Sequence, residues 1–325
     1  MKLLFATGGT GGHLLPAQQL AEELEGVEVA FAGHALSSKP FFQRGKFRFT
    51  DIESSGTSPL AIARGVRAAL TLLRKERPDR VVGFGSYHSL PVLLAALWLR
   101  IPIVLYEPNC AIGKVNRLLA PFAQAIALQH PPLRKLKRAH FAPLFPWRNR
   151  RPLPDKRAAR GRYGLEPDRP TVLVFGGSQG ANFLNETLPE ALRGSQFQVL
   201  HIRGHGGKVP EYEGRARVIE YERDMIWAYA AADCAICRAG AATLSELILH
   251  QLPALLIPFP GASGHQEENA QFLARTGGAH WMRQAEATPQ QIRAWLETAP
   301  LAEMACALAQ YRDQRQETAW HTIIS

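Results

Sequence analysis

Several short runs of this sequence carry residue types that do chemistry. Thr7-Gly8-Gly9-Thr10-Gly11-Gly12-His13 ends a glycine loop on an imidazole, a group that titrates near neutral pH. Gly176-Gly177-Ser178-Gln179-Gly180 is a second glycine loop, and Arg238-Ala239-Gly240-Ala241-Ala242-Thr243-Leu244-Ser245-Glu246 places a carboxylate about one turn into a helix. A glycine turn lets backbone N–H groups at a helix N-terminus approach an anionic or oxygen-rich group closely. The structural alternative is a tight strand-to-helix turn without a ligand. Glu246 is placed to accept two vicinal ribose hydroxyls, and equally to complement the helix dipole.

Other chemistries are excluded or disfavoured. Gly8 to Gly12 lacks the Gly-Lys-Ser/Thr of a Walker A loop. It also fails the dinucleotide fingerprint: Leu14 stands at the third glycine position, and Phe31-Ala32-Gly33-His34 offers no acidic residue to a ribose. Cys234-Ala235-Ile236-Cys237 has C-x-x-C spacing on an expected strand, where i and i+3 point to opposite faces. With no second pair, buried structural thiols are expected there.

The elements that hold these runs alternate. Lys2 to Ala6 reads as a strand, and Ala17, Leu20, Ala21 and Leu24 form one face of a helix with Pro16 in its first turn. Val27 to Ala32 is a second strand, and Arg80 to Phe84, a helix through Leu99 and Ile101 to Tyr106 repeat the unit. Pro170 to Phe175 restarts the pattern, followed by a helix over Ala181 to Leu192. Strands are then expected at Gln198 to Ile202, Ala216 to Glu220, Cys234 to Cys237 and Ala254 to Ile257, with a helix from the Arg238 run through Leu249. Pro143 to Arg169, rich in Pro, Arg and Lys, has the composition of a linker. The expected fold class is α/β, two Rossmann-like domains with parallel sheets facing across a cleft. Their expected spans are 1–148, with a C-terminal helix of about 312–325 crossing back, and 149–311.

Composition agrees with a globular chain. The 325 residues suggest roughly two domains. Hydrophobic residues make up 46% and charged residues 20%, which excludes a disordered or collagen-like chain. Leu90 to Leu105 is interrupted by Arg100 and Pro102, too short for a spanning helix. The N-terminal run lacks an h-region and a cleavage site, and four cysteines give no disulfide framework. The net charge of +10 is concentrated at Arg134 to Arg138 and from Arg148 to Arg162, without the interleaved aromatics of a single-strand nucleic-acid binder. A phosphorylated substrate or an anionic membrane fits this charge, as does a solvated surface.

Six motifs occur in a specific order. They are Gly8 to His13 with Pro16-Ala17; Gly83-Phe84-Gly85-Ser86-Tyr87-His88-Ser89-Leu90-Pro91; Glu107 with Asn109; Gly176 to Ala181 with Asn185; Cys237 to Glu246; and Gly264-His265-Gln266-Glu267-Glu268-Asn269-Ala270. Over nearly its whole length the chain thereby resembles the MurG family of peptidoglycan glycosyltransferases, glycosyltransferase family 28. The resemblance implies a GT-B fold and inverting transfer of GlcNAc from UDP-GlcNAc to C4 of the MurNAc of lipid I (undecaprenyl-pyrophosphoryl-MurNAc-pentapeptide), giving lipid II. It implies a peripheral enzyme at the cytoplasmic face of the cell membrane, with no nucleic-acid partner and with cell-wall or division proteins as possible neighbours.

By the same resemblance His13 is the candidate base, with Glu107 its rival; a helix-capping or loop-orienting role is the alternative for His13. Ser178 and the amides of Ala241, Ala242 and Thr243 face the leaving diphosphate, within a donor run that also contains Leu244 and Ser245. Glu246 takes the ribose, and Gln266, with His265 second, the GlcNAc hydroxyls. Arg148 lies near the nucleotide, and Thr10, Gly11, Gly12 and Asn109 border sugar and acceptor. No cofactor is expected, and the lack of a D-x-D motif agrees with a metal-independent site. Departures from the family pattern lie on the acceptor side: Tyr106 where a His usually precedes the Glu, Leu144-Phe145-Pro146-Trp147 before Arg148, and Gly56-Thr57-Ser58-Pro59-Leu60 in place of a basic glycine loop. Ala61 to Leu73, with Leu60 before it, sets Leu60, Ile62, Val66, Ala69, Leu70 and Leu73 beside Arg64, Arg67 and Arg74, a helix able to lie on an anionic surface or to pack on the sheet. Competing readings are a related GT-B transferase with another lipid or small-molecule acceptor, a UDP-GlcNAc 2-epimerase, and a catalytically idle UDP-sugar-binding scaffold.

Overall fold

The computed structural model describes residues 1–8, 11–39, 42–52, 58–131, 136–144, 152–177, 179–261, 264–314 and 316–325. The chain divides into two compact units, Met1–Arg148 with Gln316–Ser325, and Asn149–Arg315.

The first unit runs β1 (Lys2–Gly8), α1 (Gly11–Glu23), β2 (Glu28–His34), β3 (Arg48–Asp51), α2 (Pro59–Glu76), β4 (Arg80–Gly83), α3 (Leu90–Trp98), β5 (Ile103–Glu107), α4 (Lys114–Leu119), β6 (Ala125–Leu128) and β7 (Ala139–Phe141). The second runs α5 (Lys156–Arg162), β8 (Thr171–Phe175), α6 (Asn182–Ala191), β9 (Gln198–Ile202), β10 (Ala216–Ile219), α7 (Met225–Ala231), β11 (Cys234–Cys237), α8 (Ala241–Leu249), β12 (Ala254–Leu256), α9 (His265–Arg275), β13 (Ala279–Trp281), α10 (Pro289–Thr298) and α11 (Leu301–Asp313). The last helix, α12 (Trp320–Ile324), returns to the first unit.

Each unit is a parallel sheet. The strand orders are β3-β2-β1-β4-β5-β6-β7 and β10-β9-β8-β11-β12-β13. The central strands are buried on both faces and so read as unbroken apolar runs. Leu3, Leu4, Phe5 and Ala6 are at most 1% exposed, with Phe5 opposite Phe31 on β2 and Val82 on β4. Each such Leu or Phe contributes roughly 1.5–3 kcal/mol of burial free energy. In both units the order reverses beside the first strand, between β1 and β4 and between β8 and β11. Open α/β sheets bind ligands at that reversal, outside the carboxyl ends of the strands. The glycine loops after β1, β4 and β8, and the Arg238 run after β11, all lie there.

Three expectations are corrected. α1 begins at Gly11, so Pro16 lies inside the helix, where it cannot supply the N–H that the Gly12 carbonyl would take. The expected linker holds α5, capped by Asp155, and Arg160 on it is 4% exposed, pairing with Asp233 at 2.5 Å and donating to the Ala231 and Pro167 carbonyls. A buried arginine leaves no apolar periodicity to read. β3, β6, β7 and β13 were not anticipated; β3, β7 and β13 are edge strands, only partly buried, and so lack the unbroken apolar run of a central strand. At the other end, α12 seats Trp320, Ile323 and Ile324 in the core of Phe5, Val82, Val104 and Tyr106.

Candidate active site

In the first unit the chemistry gathers at the β1/β4 reversal. Gly11, Gly12 and His13 form the first turn of α1. His13 Nδ1 lies 2.7 Å from the carbonyl oxygen of Phe84, the residue that follows β4. That oxygen only accepts, so Nδ1 carries the proton and Nε2 is the basic nitrogen. The next residue, Gly85, has φ +76°, and a Cβ there would stand 3.3 Å from both Cε1 and Nδ1 of His13 and 3.8 Å from Asn116 Nδ2. The positive φ favours glycine, and a Cβ there would press on the imidazole.

Glu107 closes β5 on the same edge but is 2% exposed. One of its oxygens, Oε1, accepts from Asn109 N at 3.1 Å and Asn109 Nδ2 at 3.3 Å. The other accepts from Gly113 N at 2.8 Å and Asn116 Nδ2 at 2.9 Å. Burial pushes its pKa up and these four donors pull it back. The carboxylate ties the Asn109 to Gly113 loop to α4. Tyr106, standing before it, is 1% exposed and donates to Gln129 Oε1 at 2.6 Å, so it belongs to the core.

The second unit presents its groups at the β8/β11 reversal. Gly180, φ +72°, approaches the loop after β9 so closely that a Cβ would fall 2.1 Å from the Arg203 carbonyl oxygen. This close approach seats the glycine loop after β8. After β11, Gly240 precedes α8 and supplies no side-chain cap. Ala241, Ala242, Thr243 and Glu246 lie on the partly or fully exposed side of α8, and Leu244 and Ser245 are 0% exposed. Those two side chains, grouped with the donor run on sequence, face the core because helical periodicity turns them inward. Glu246 accepts from the Tyr229 hydroxyl at 2.5 Å. Burial pushes its carboxyl up to about 7, and the Tyr229 bond opposes the rise.

Ala239 joins two parts of this edge. Gln266 Oε1, on α9, accepts from Ala239 N at 3.2 Å and Phe259 N at 3.0 Å, and Asn269 Nδ2 donates to the Ala239 carbonyl at 3.0 Å. Arg238, 7% exposed, donates to the Ile257 and Pro258 carbonyls and to Gln284 Oε1. Desolvation lowers its pKa to about 10, still far above neutrality. The segment before α9 is therefore fastened to the start of α8.

The structure thus brings Gly11, Gly12, His13, Glu107 and Asn109 to one edge, and Ala241, Ala242, Thr243, Glu246 and Gln266 to the other unit's edge. Thr10, Arg148 and Ser178 lie outside the described residues. Asn116, Tyr229 and the Arg238 side chain were missed as site residues. Asn116 and Tyr229 are separated from the carboxylates they bind by 9 and 17 residues, with no motif to connect them. Cys234 and Cys237 are buried thiols on β11, with pKa values raised by desolvation. Among the described residues, no group of three or more His, Cys, Asp or Glu could hold a metal ion. Among the same residues no helix is long and apolar enough to cross a membrane.

Comparison with known proteins adds to this geometry. Residues 3–128 match the glycosyltransferase family 28 N-terminal domain and residues 171–320 its C-terminal domain. The Protochlamydia amoebophila protein named UDP-N-acetylglucosamine--N-acetylmuramyl-(pentapeptide) pyrophosphoryl-undecaprenol N-acetylglucosamine transferase is 36% identical, over 84% of this chain and 80% of its own. A Chlamydia pneumoniae protein of the same name is 33% identical over 99% of this chain and 97% of its own. The crystal structure of Acinetobacter baumannii MurG superposes with a TM-score of 0.79 at 27% identity, covering 99% of this chain and 98% of that one.

Proposed function

Because the chain belongs to glycosyltransferase family 28, we propose that it is a hexosyltransferase of the MurG type. It moves GlcNAc from UDP-GlcNAc to the C4 hydroxyl of MurNAc in undecaprenyl-pyrophosphoryl-MurNAc-pentapeptide, making lipid II for peptidoglycan. One observation supports the chemistry above the others: the Phe84 carbonyl holds the proton on His13 Nδ1, which makes Nε2 the basic nitrogen of the ring.

Nε2 of His13 takes the proton of the acceptor hydroxyl as its oxygen attacks the anomeric carbon. The C1–O bond to the diphosphate breaks on the opposite face, so the anomeric configuration inverts. UDP leaves with the bonding pair, and its developing charge meets the N-terminal amides of α8 at Ala241 to Thr243; Ser178 is assigned to the same diphosphate. Glu246 accepts the ribose hydroxyls. Gln266, its carbonyl engaged by Ala239 and Phe259, turns its amide donors to the GlcNAc. Thr10, Gly11, Gly12 and Asn109 border the acceptor, and Arg148 serves the nucleotide. Glu107, with both oxygens occupied, positions the acceptor loop rather than taking the proton. Helix-terminal amides supply the charge stabilisation that a metal gives in other sites, so turnover proceeds without one.

The polyprenyl tail of the acceptor keeps the reaction at an anionic membrane surface, on the cytoplasmic face. On α2, Leu60 is 68% exposed and Arg64 and Arg67 are exposed, whereas Ala69, Leu72 and Leu73 pack inward. The inner face of the helix thus packs on the unit, and its outer rim meets lipid headgroups.

Incubating the protein with UDP-GlcNAc and a lipid I analogue, with and without EDTA, tests the function. Equal amounts of UDP and disaccharide-lipid are expected in both. UDP without disaccharide, or a ManNAc product formed without acceptor, overturns the reading.

A further inference from the structure

Tyr229 reaches from α7 to the carboxylate of α8. Its hydroxyl donates to Glu246 Oε2 at 2.5 Å. The ring is held on two sides, edge-on to Phe175 at 5.6 Å and stacked on His250 at 5.0 Å. Phe175 ends β8 and His250 follows α8, so the phenol is fixed between the strand and the helix that flank the nucleotide edge. Tyr229 is 2% exposed. A phenol this deep has no water to donate to and needs a protein acceptor. Glu246 is that acceptor, and it is the residue assigned to the ribose.

We infer that Tyr229 is a positioning residue of the nucleotide site: it fixes the Glu246 carboxylate in the orientation and charge state that accept two vicinal ribose hydroxyls. This rests on the assignment of Glu246 to the ribose. A carboxylate receives both hydroxyls of a diol only when ionised, since a carboxylic acid spends one oxygen as a donor. Burial pushes Glu246 up to about 7, and the phenol O–H is the group that draws it back. The other titratable groups packed around the pair keep one charge through this range. His250 is lowered to about 4 by burial and is neutral, the Cys237 thiol is raised and stays protonated, and Tyr229 itself is raised well above its ordinary value. Arg238, lowered to about 10, stays cationic. Glu246 is therefore the member of this group whose charge changes between pH 5 and 9. Tyr229→Phe keeps the ring and its packing while removing the donor.

The test measures the affinity of the full chain for UDP and for 2′-deoxy-UDP from pH 5.5 to 9, in wild type, Tyr229→Phe, Glu246→Gln and the double variant. Wild type is expected to prefer UDP, increasingly as pH rises through about 7. Tyr229→Phe is expected to weaken UDP about 5–10-fold at pH 7 and to move the midpoint up by about one pH unit. Binding of 2′-deoxy-UDP should change less than about 2-fold, which also reports an intact fold. In the Glu246→Gln background, Tyr229→Phe should have no further effect. Equal losses for both nucleotides, or an unmoved midpoint, overturn the role of Tyr229. If Glu246→Gln keeps full discrimination between the nucleotides, the ribose assignment falls and the role of Tyr229 with it. Lost discrimination in Glu246→Gln but not in Tyr229→Phe overturns the latter alone.

Discussion

His13 Nδ1 and the Phe84 carbonyl oxygen stand 2.7 Å apart, joining the first turn of α1 to the start of the loop after β4. The bond fixes both the ring plane and the tautomer, as a carboxylate or carbonyl partner does for a basic histidine elsewhere. It depends on Gly85, whose φ of +76° turns the chain away immediately after Phe84. Gly85→Ala therefore pays backbone strain of about 1–2 kcal/mol and pushes a methyl against the imidazole. We expect kcat to fall on the order of 10–100-fold, with UDP-GlcNAc affinity unchanged by calorimetry. Unchanged kcat would show that the ring needs no such seat.

Glu107 separates a positioning role from a catalytic one. Its four donors form a buried network, so Glu107→Gln sets an amide NH₂ against N–H groups. The expected cost is roughly 2–3 kcal/mol, read as a lower melting temperature together with a raised KM for the lipid acceptor. A thousandfold fall in kcat at unchanged melting temperature and KM would instead identify it as the base.

The raised pKa of Glu246 gives the nucleotide-free protein a pH-dependent stability. Its folded value of about 7 lies above an unfolded value near 4.3. The protonated form is favoured by folding, so this stability is fully present below about pH 4.3 and is lost as pH rises through about 7. Glu246→Gln removes the loss. At pH 8 the variant should melt about 2–4 °C above wild type, equivalent to roughly 1–2 kcal/mol, and the two should converge at about pH 4. A difference that is the same at both pH values would contradict the buried-carboxyl account.

Much of this arrangement was legible in the sequence because it rests on local signals. Apolar runs marked the central strands, and glycines after β1 and β8 marked the sheet edge where ligands bind. What escaped was long-range. Asn116 completes the Glu107 network and Tyr229 the Glu246 pair, contacts that only the folded chain makes. Arg160 turned a composition that reads as a linker into a helix, through an ion pair to Asp233 that lies 73 residues away. Leu244 and Ser245 show the converse: a contiguous motif was treated as one surface, whereas α8 turns this adjacent pair inward and leaves Ala241 to Thr243 and Glu246 on its outer side.

The proposed membrane rim makes a spatial prediction. Replacing Leu60 by Glu together with Arg64 and Arg67 by Ser should weaken cosedimentation with phosphatidylglycerol vesicles about tenfold or more, at roughly 1 kcal/mol per basic residue near the surface. Trp98, 77% exposed at the end of α3, serves as comparison, and Trp98→Ser should bind as wild type does. If Trp98→Ser loses binding and the α2 variant keeps it, the docking face is misplaced.

The most direct measurement compares wild type and His13→Ala in two assays, single-turnover transfer to a lipid I analogue and calorimetric binding of UDP-GlcNAc. Loss of a positioned base predicts a transfer rate lowered about 10²–10⁴-fold, with donor affinity within about twofold of wild type. Transfer at the wild-type rate, with the disaccharide still formed, would show that the imidazole beside Phe84 does not take the acceptor's proton.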